Sequence, residues 1–316
     1  MYKIIELEDS RCPLDCPAGD DVVLVGKDRI HNLPGEFKVV RCRTCRLMRT
    51  NSRPTQKAMS FYYPDNYGPY IGTQIDRIEK ARSRFHMLRI IAKRIFILNA
   101  NRLTNLKVGR MLEIGCASGG FMRDMAKKGW EVEGLEFSPM AAEAARGLGY
   151  PVHTGSLEAA PAPNLPYDLI VGWMVLEHLH EPVLSLSKLR DWAKQDAVLA
   201  LSVPNAGAWQ FSLFRDKWYP LQLPTHLFHF TPETAKKVFA MGGWEITHIH
   251  FQRILSDPIA SLGHIFQDRG FKTVGQYLVD FTAGHEIAIV ILYPLAWLLS
   301  IIGQTGRMTI WARRLK

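Results

Sequence analysis

Apolar residues between positions 109 and 252 fall into short runs that alternate with stretches of helical periodicity. Short apolar runs bounded by turn residues are typical of buried strands, and apolar residues spaced three or four apart indicate helices. Strands that alternate with helices predict an α/β domain with a mostly parallel sheet. Seven strands are predicted, at residues 110–114, 131–136, 151–153, 167–172, 198–203, 244–251 and 308–312.

The same pattern divides the chain into three parts. Residues 1–55 are rich in turns and hold four of the five cysteines, which predicts a small β-ribbon module. Residues 56–108 are a linker that is aromatic at first and then basic, with a helical pattern. Residues 109–316 are the predicted α/β domain, and residues 253–306 within it are expected to be a helical insertion before the last strand.

Two closely spaced pairs of cysteines lie in the N-terminal module. Three residues separate Cys12 from Cys16, two separate Cys42 from Cys45, and 25 residues lie between the pairs. Four thiolates in this arrangement suit tetrahedral zinc, and sites with four cysteine ligands are structural. A metal would explain how about 50 residues with little core stay folded. We therefore predict a structural zinc ribbon, and the alternative is a set of four unligated thiols.

The sharpest motif is Glu-Ile-Gly-Cys-Ala-Ser-Gly at residues 113–119, where a buried strand passes through a glycine turn into a helix. Glycines let the backbone approach a ligand closely, and the N-terminus of the following helix offers free N–H groups. Glu136 ends the next strand, 21 residues after Gly115. An acidic side chain there can accept hydrogen bonds from both hydroxyls of a ribose. The two features together predict a site for a nucleoside cofactor.

This motif resembles the first motif of class I S-adenosylmethionine-dependent methyltransferases. Residues 167–182, with their Leu-Glu-His triplet, are similar to the fourth-strand motif of that family, and residues 203–205 to the end of its fifth strand. Residues 223–233 are similar to a segment of one bacterial branch, which also has an N-terminal cysteine-rich zinc module. That branch includes sugar C-methyltransferases and enzymes of polysaccharide biosynthesis. Only residues 73–106 and 253–306 match weakly.

The resemblance implies a Rossmann-like methyltransferase sheet that binds S-adenosylmethionine. Ala117 stands where the family usually has its middle glycine, a change that is tolerable if the φ angle there is negative. The cofactor contacts that the resemblance implies are Glu113, Gly115, Cys116, Ala117, Gly119, Phe121, Glu136, Phe137, Ser156, Leu157 and Trp173.

Four residues are candidates for the chemistry of methyl transfer. A hydroxyl or carbon-acid acceptor needs a base. Glu177 and His178 follow the fourth strand, at the carboxyl edge of the sheet where ligands bind, and His178 is the first candidate for that base. His226 and His229 come from a loop-like segment and are the next candidates, although each histidine has the alternative role of a capping or packing residue. The clustered tyrosines either wall the acceptor pocket or form interdomain core, and they are Tyr62, Tyr63, Tyr67 and Tyr70.

Positive charge is concentrated at the front of the chain. Residues 1–110 hold 21 Lys and Arg against 11 Asp and Glu, whereas the whole chain has a net charge of +9. This asymmetry indicates an anionic partner such as nucleic acid, an anionic membrane or a phosphorylated substrate. Residues 77–110 interleave cations with apolar residues, which is typical of a helix on a membrane surface. The uncharged run at residues 287–303 contains a proline and is short for a span, so we expect an interfacial or a buried helix.

These observations predict an S-adenosylmethionine-dependent methyltransferase that acts on a small-molecule acceptor, either glycan-related or lipid-linked. We expect it in the cytoplasm, because acidic residues precede any apolar run at the N-terminus. The basic stretch and the uncharged run together predict peripheral contact with the inner membrane surface. The first alternative is an RNA methyltransferase that uses the zinc module and the cations to hold RNA. Nucleic acid is not the expected partner, since the chain has no Asn/Asp-Pro-Pro-aromatic motif. The second alternative is a non-catalytic scaffold that retains the fold.

Overall fold

The computed structural model describes residues 5–63, 106–284 and 286–315. Its strands, numbered along the chain, are β1 Leu7–Glu8, β2 Asp20–Lys27, β3 Glu36–Cys42, β4 Met48–Thr50, β5 Arg53–Pro54, β6 Arg110–Ile114, β7 Glu131–Glu136, β8 Val152–Thr154, β9 Tyr167–Trp173, β10 Ala193–Pro204, β11 Phe228–His229, β12 Trp244–Phe251 and β13 Arg307–Arg314. Its α-helices are α1 Gly120–Ala126, α2 Pro139–Arg146, α3 Pro182–Trp192, α4 Trp209–Phe214, α5 Pro232–Met241, α6 Ser256–Asp268, α7 Lys272–Gly284 and α8 Glu286–Ile301.

A seven-stranded sheet forms the centre of the molecule, in the order β8-β7-β6-β9-β10-β13-β12. The strands from β8 to β10 pair in parallel, and β13 is antiparallel to both of its neighbours. All seven predicted strands are present, with ends that shift by a few residues. The predicted α/β class with a mostly parallel, Rossmann-like sheet is therefore confirmed.

The order of the strands creates the crevice in which a ligand can bind. The chain starts in the middle of the sheet at β6, moves outward through β7 and β8, and returns to the other side of β6 as β9. A sheet of this kind binds ligands where the strand order reverses, outside the carboxyl ends of the strands. Here that point lies between β6 and β9. Both strands are almost wholly buried, as expected for strands covered on both faces.

The sheet of the N-terminal module includes one strand from the α/β domain. Strands β2, β3 and β4 form an antiparallel sheet, and β11 from the α/β domain adds a fourth strand beside β4. The hydroxyl of Thr50 donates a hydrogen bond to the carbonyl oxygen of His226 over 2.8 Å. The module thus packs against the loop that carries two of the candidate histidines.

The predicted helical insertion is present as α6, α7 and α8. In the described part of α8 and just beyond it, Trp297 and Ile301 are exposed, and beside them four further exposed apolar side chains recur three or four residues apart, on one face. They are Ile291 (70% exposed), Leu295 (51%), Leu298 (56%) and Ile302 (66%). This spacing corresponds to one stripe along a helix. These exposed apolar side chains favour an interfacial helix over one packed on the sheet, and the predicted basic helix, on which the run could also pack, lies largely outside the described residues.

Two membrane-related predictions have different outcomes. Within the residues that the structure describes, no helix has both the length and the apolar character needed to cross a membrane. The predicted basic helix at residues 77–110 lies outside the described residues up to position 105, as does most of the predicted linker.

Candidate active site

A cavity of about 340 Å³ lies at the carboxyl ends of β6, β7 and β9. Pockets for small molecules and cofactors have volumes of roughly 300–1,000 Å³, so this cavity is large enough for a ligand. One wall is formed by the glycine turn after β6 and by the ends of β7 and β9. The opposite wall contains histidines, a tyrosine from the N-terminal region and an arginine from β13. We call these the cofactor wall and the acceptor wall.

The glycine turn after β6 follows the path that the motif predicts. Gly115 has φ +65°, and a β-carbon there would lie 2.6 Å from a methyl group of Val175, so the position favours glycine for two reasons. The condition under which alanine would be tolerable here, a negative φ, is not met, because the φ of Ala117 is +46°. This left-handed conformation costs a non-glycine residue roughly 1–2 kcal/mol. In this conformation the N–H of Ala117 donates a hydrogen bond to a buried carboxylate.

That carboxylate is Glu136, at the end of β7. Its two oxygens accept hydrogen bonds from the backbone N–H groups of Ala117 and Ser138, each over 2.8 Å. Burial raises the pKa of Glu136, and the two N–H donors oppose that rise. These two hydrogen bonds hold the side chain in place. Because a carboxylate has about four acceptor positions, it can still accept hydrogen bonds from the hydroxyl groups of a ligand. Glu136 lines the cavity.

Seven of the predicted cofactor residues line the cavity: Gly115, Ala117, Glu136, Phe137, Ser156, Leu157 and Trp173. The structure places the other four behind this wall. Glu113 is buried, and its pKa is raised well above the usual value by burial and by the charge of Glu136. The Cys116 sulfur packs over Gly134, where a β-carbon would come within 2.6 Å of it.

The last two of these predicted residues also support the wall. Gly119 has φ +81° and immediately precedes α1, where it makes the turn into that helix. Phe121 packs edge-on against Trp173, with 5.1 Å between the ring centroids. Both residues therefore support the cofactor wall indirectly, Gly119 through the start of α1 and Phe121 through Trp173.

The acceptor wall brings together residues that are far apart in the sequence. Glu177 and His178 lie in a 3-10 turn, Leu176–His178, directly after β9. The carbonyl oxygen of Glu177 accepts a hydrogen bond from the N–H of Leu227 over 2.7 Å, which ties this turn to the loop that carries His226. The His178 and His226 rings meet edge to face, with centroids 4.5 Å apart, and both line the cavity.

Burial shifts the pKa values of the groups in and behind this wall toward their neutral forms. Glu177 is completely buried, and burial raises its pKa to about 8. Burial lowers the pKa of His178 to about 4 and that of His226 well below its usual value, with His178 and His229 adding to the second effect. Glu177 Oε1 lies 4.0 Å from His226 Nε2, which is too long for a hydrogen bond.

His229 is not brought to the cavity. Its Nε2 lies 3.3 Å from the hydroxyl of Thr50, at the contact between β11 and β4, and the side chain is buried. Burial lowers its pKa to about 3. In this structure His229 contributes to the junction between the module and the α/β domain. The other three predicted catalytic residues are brought together.

Several residues of the cavity were not predicted from the sequence. Arg307, at the start of β13, lines the cavity and forms an ion pair of 2.7 Å with the buried Asp257. Tyr219 and Gln222 also line it, from a loop with no recognisable motif. The one sequence feature that could have identified Arg307 is its position as a cation at the start of a predicted apolar strand. Tyr63, one of the clustered aromatic residues, does reach the wall, and its hydroxyl lies 2.8 Å from His178 Nδ1.

The four cysteines of the module form a second candidate centre. Their sulfur atoms all lie within 4.8 Å of one another, and those of Cys12 and Cys45 are 3.4 Å apart. Burial raises the pKa of the Cys42 thiol, but hydrogen bonds from the backbone N–H groups of Cys45 and Thr44 outweigh it and lower that pKa to about 7. Four convergent sulfurs with N–H donors around one of them can hold a tetrahedral metal ion.

Curated relatives of this chain are enzymes named ubiquinone biosynthesis O-methyltransferase. The enzyme of Cereibacter sphaeroides is 27% identical over 110 residues, which are 33% of this chain and 44% of that protein. The mitochondrial enzyme of Schizosaccharomyces pombe is 34% identical over 101 residues, 29% of this chain and 37% of that protein. The chain therefore spans less than half the length of these two relatives.

Solved structures share part of the course of this chain at low sequence identity. An S-adenosylmethionine-dependent methyltransferase from Mesorhizobium loti is 16% identical, with a TM-score of 0.47, and the match covers 67% of this chain and 95% of that one. The cyclopropane synthase MmaA2 from Mycobacterium tuberculosis is 17% identical, with a TM-score of 0.44, covering 73% and 84%.

A match to a protein family agrees with the motifs and with the fold. Residues 84–249 match the family described as a methyltransferase domain. This segment contains the glycine turn, Glu136 and the Leu176–His178 turn. The prediction of a methyltransferase is thus confirmed at the level of the family. Since the match spans more than half of the 316 residues, the chain belongs to this family of methyltransferase domains.

Proposed function

We propose that this protein transfers a methyl group from S-adenosylmethionine to a small-molecule acceptor in the cavity at the carboxyl ends of β6, β7 and β9. The observation that carries the proposal is the pairing of two unlike walls around one cavity. Glu136 and the glycine turn form the first, and His178 and His226 belong to the second, with the buried Glu177 close behind them. The names of the curated relatives, which are O-methyltransferases, support a small-molecule acceptor.

The residues of the cofactor wall fit the parts of S-adenosylmethionine. Glu136 is positioned to accept the ribose hydroxyls, and Phe137, Leu157 and Trp173 offer apolar surface for an adenine ring. The cofactor supplies a methyl group on a positively charged sulfur. Transfer is an in-line displacement, so holding the acceptor in line with that methyl group supplies much of the rate. We assign removal of the acceptor proton to the group of Glu177, His178 and His226.

Two measurements test this function. Calorimetry with S-adenosylmethionine should show binding to the purified chain, and labelled methyl should pass from the cofactor into a small-molecule fraction of cell extract. Binding without transfer into any fraction would support the non-catalytic scaffold. Label that appears only in RNA would support the RNA methyltransferase instead.

For the acceptor, the finer proposal is a glycan-related or lipid-linked molecule. Its support is the resemblance of residues 223–233 to the sugar-methyltransferase branch, since His226 within that run lines the cavity. The extract experiment tests it directly, because lipid-linked sugars partition into organic solvent. Label confined to water-soluble molecules without sugar would contradict it.

A second finer proposal is peripheral attachment at the cytoplasmic face of the inner membrane. The exposed stripe of α8 can bury apolar surface at about 25 cal/mol per Å², and the basic front of the chain can meet anionic headgroups. The test is flotation with anionic vesicles of a double variant, Leu295→Asp with Leu298→Asp. We expect flotation of the unchanged protein and its loss in the variant. Leu184→Asp, on the exposed face of α3, is the control that should still float. Unchanged protein that does not float at low salt would contradict the proposal.

A third proposal is that the four cysteines of the module hold a structural zinc ion. Purified protein should then contain zinc, and Cys42→Ser should lose one ion per chain. Cys116→Ser is the matched control, because Cys116 is buried outside the cluster. Equal zinc contents in these two variants would contradict the assignment.

A further inference from the structure

Glu177 is the most unusual side chain of the acceptor wall. It is fully buried, and among the described residues neither of its carboxylate oxygens has a hydrogen-bond partner. Buried polar groups are nearly always paired, so an orphaned carboxylate indicates a partner that the described residues do not supply. One oxygen faces His226 Nε2 at 4.0 Å, a distance that leaves room between them.

The two neighbouring histidines are held in one defined tautomer. His226 Nδ1 lies 2.8 Å from the carbonyl oxygen of Pro220, and His178 Nδ1 lies 3.0 Å from that of Thr225. A carbonyl oxygen only accepts hydrogen bonds, so both Nδ1 atoms carry the proton and both Nε2 atoms keep a free lone pair. Metal-binding histidines are held in the same way by a second hydrogen bond from the other ring nitrogen.

We propose that Glu177, His178 and His226 form a binding site for a divalent transition-metal ion on the wall of the cavity. Each residue offers one ligand atom, and these atoms all lie within 4.8 Å of one another. Two imidazoles and one carboxylate suit zinc, ferrous iron or manganese, and zinc is the ion chosen for the test below. This site is separate from the four cysteines, which lie in the N-terminal module.

The geometry requires a small closure of the site around the ion. Two ligands of a tetrahedral zinc ion are about 3.4 Å apart, given bonds of about 2.1 Å. The carboxylate and His226, 4.0 Å apart, would therefore approach each other by about 0.6 Å, and a ligand pair at the 4.8 Å limit by about 1.4 Å, which side-chain rotation can supply. Arg307 is the nearest cation on the cavity wall, and its ion pair with Asp257 offsets its charge.

The use of this ion in catalysis rests on the proposed methyl transfer, whereas the site itself does not. Three protein ligands leave a coordination position open, as in catalytic metal sites. His178 and His226 line the cavity, so the open position is expected on the cavity side, where an oxygen of the acceptor can bind. A metal ion lowers the pKa of a bound hydroxyl group, which makes an oxygen acceptor the expected class.

The experiment measures metal content and metal environment in the full-length protein. Unchanged protein, Glu177→Gln and His226→Asn are dialysed against zinc chloride and then against buffer, and zinc per chain is counted. We expect each variant to hold one ion fewer than the unchanged protein. X-ray absorption at the zinc edge should show nitrogen or oxygen ligands at about 2.0–2.2 Å in the unchanged protein, and their loss in the variants should leave sulfur at about 2.3 Å.

The matched control is His180→Asn, because His180 lines the same cavity and is not one of the three ligands. It should keep the zinc count of the unchanged protein. Equal zinc counts in the unchanged protein and in both ligand variants, with the variants folded by circular dichroism, would overturn the proposal. A loss of zinc in His180→Asn as large as in the ligand variants would also overturn it. Calorimetry with S-adenosylmethionine on the same samples tests the proposed function separately, because these three residues are not part of the cofactor wall.

Discussion

The two walls of the cavity are built in opposite ways. The cofactor wall depends on short-range features, namely a glycine turn directly after β6 and a carboxylate at the end of β7. The acceptor wall is assembled from Tyr63, the Leu176–His178 turn, the loop of His226 and Arg307 at the start of β13. Backbone conformation therefore shapes the first wall, whereas long-range packing of buried polar side chains shapes the second.

Because of this difference, substitutions in the two walls should have different effects. A turn that presents backbone N–H groups tolerates changes in its surroundings, because local geometry determines it. Buried histidines and a buried carboxylate depend on neighbours from several segments, and removing one neighbour leaves polar atoms unpaired. Changes in the acceptor wall should therefore affect turnover, and changes in the cofactor wall should affect cofactor affinity.

The largest expected effect is that of His178→Gln on the acceptor wall. Glutamine keeps bulk and some hydrogen bonding, but it cannot take part in proton removal in the way the imidazole group does. We expect turnover to fall by roughly 10²–10⁴-fold, the usual share of general acid–base catalysis. The dissociation constant of S-adenosylmethionine, measured by calorimetry, should remain within about twofold. A parallel loss of cofactor affinity would show that the two walls are not separable.

The next effect is that of Glu136→Ala on the cofactor wall. The carboxylate can take two charge-assisted hydrogen bonds from the ribose, each worth about 1.5–3 kcal/mol. We expect the dissociation constant of S-adenosylmethionine to rise at least about tenfold. Glu131→Ala, at the exposed start of the same strand, is the control and should bind the cofactor normally. Unchanged affinity in Glu136→Ala would contradict the assignment of this carboxylate to the cofactor.

The smallest effect is that of Tyr63→Phe, which sharpens the role of the N-terminal region. The change removes a hydroxyl 2.8 Å from His178 Nδ1 and keeps the ring. A single hydrogen bond contributes about 0.5–1.5 kcal/mol, so turnover should fall by about 2- to 12-fold. Tyr62→Phe is the matched control, because the Tyr62 hydroxyl donates to the carbonyl oxygen of Pro34 inside the module. Equal turnover in the two variants would mean that Tyr63 does not position His178.

The sequence by itself was enough to predict the sheet and most of the cofactor wall. Strands such as β6 and β7 have continuous apolar runs, because buried parallel strands need them, and Gly115 and Glu136 stand at a characteristic spacing. Seven of the eleven predicted cofactor residues line the cavity. The sequence left the φ angle of Ala117 open, because the hydrogen bond of its N–H to Glu136 joins segments 19 residues apart.

Only the tertiary structure decided which candidates meet on the acceptor wall. His226 and His229 are three residues apart and looked equivalent, but His229 lies in β11, which pairs with β4 of the module, whereas His226 precedes that strand and lines the cavity. Arg307 and Tyr219 carry no motif, and they reach the cavity only because β13 lies beside β10 and the insertion folds back over it. The orphaned carboxylate of Glu177 is likewise invisible in the sequence, because burial and missing partners are properties of the packed chain and not of the local pattern.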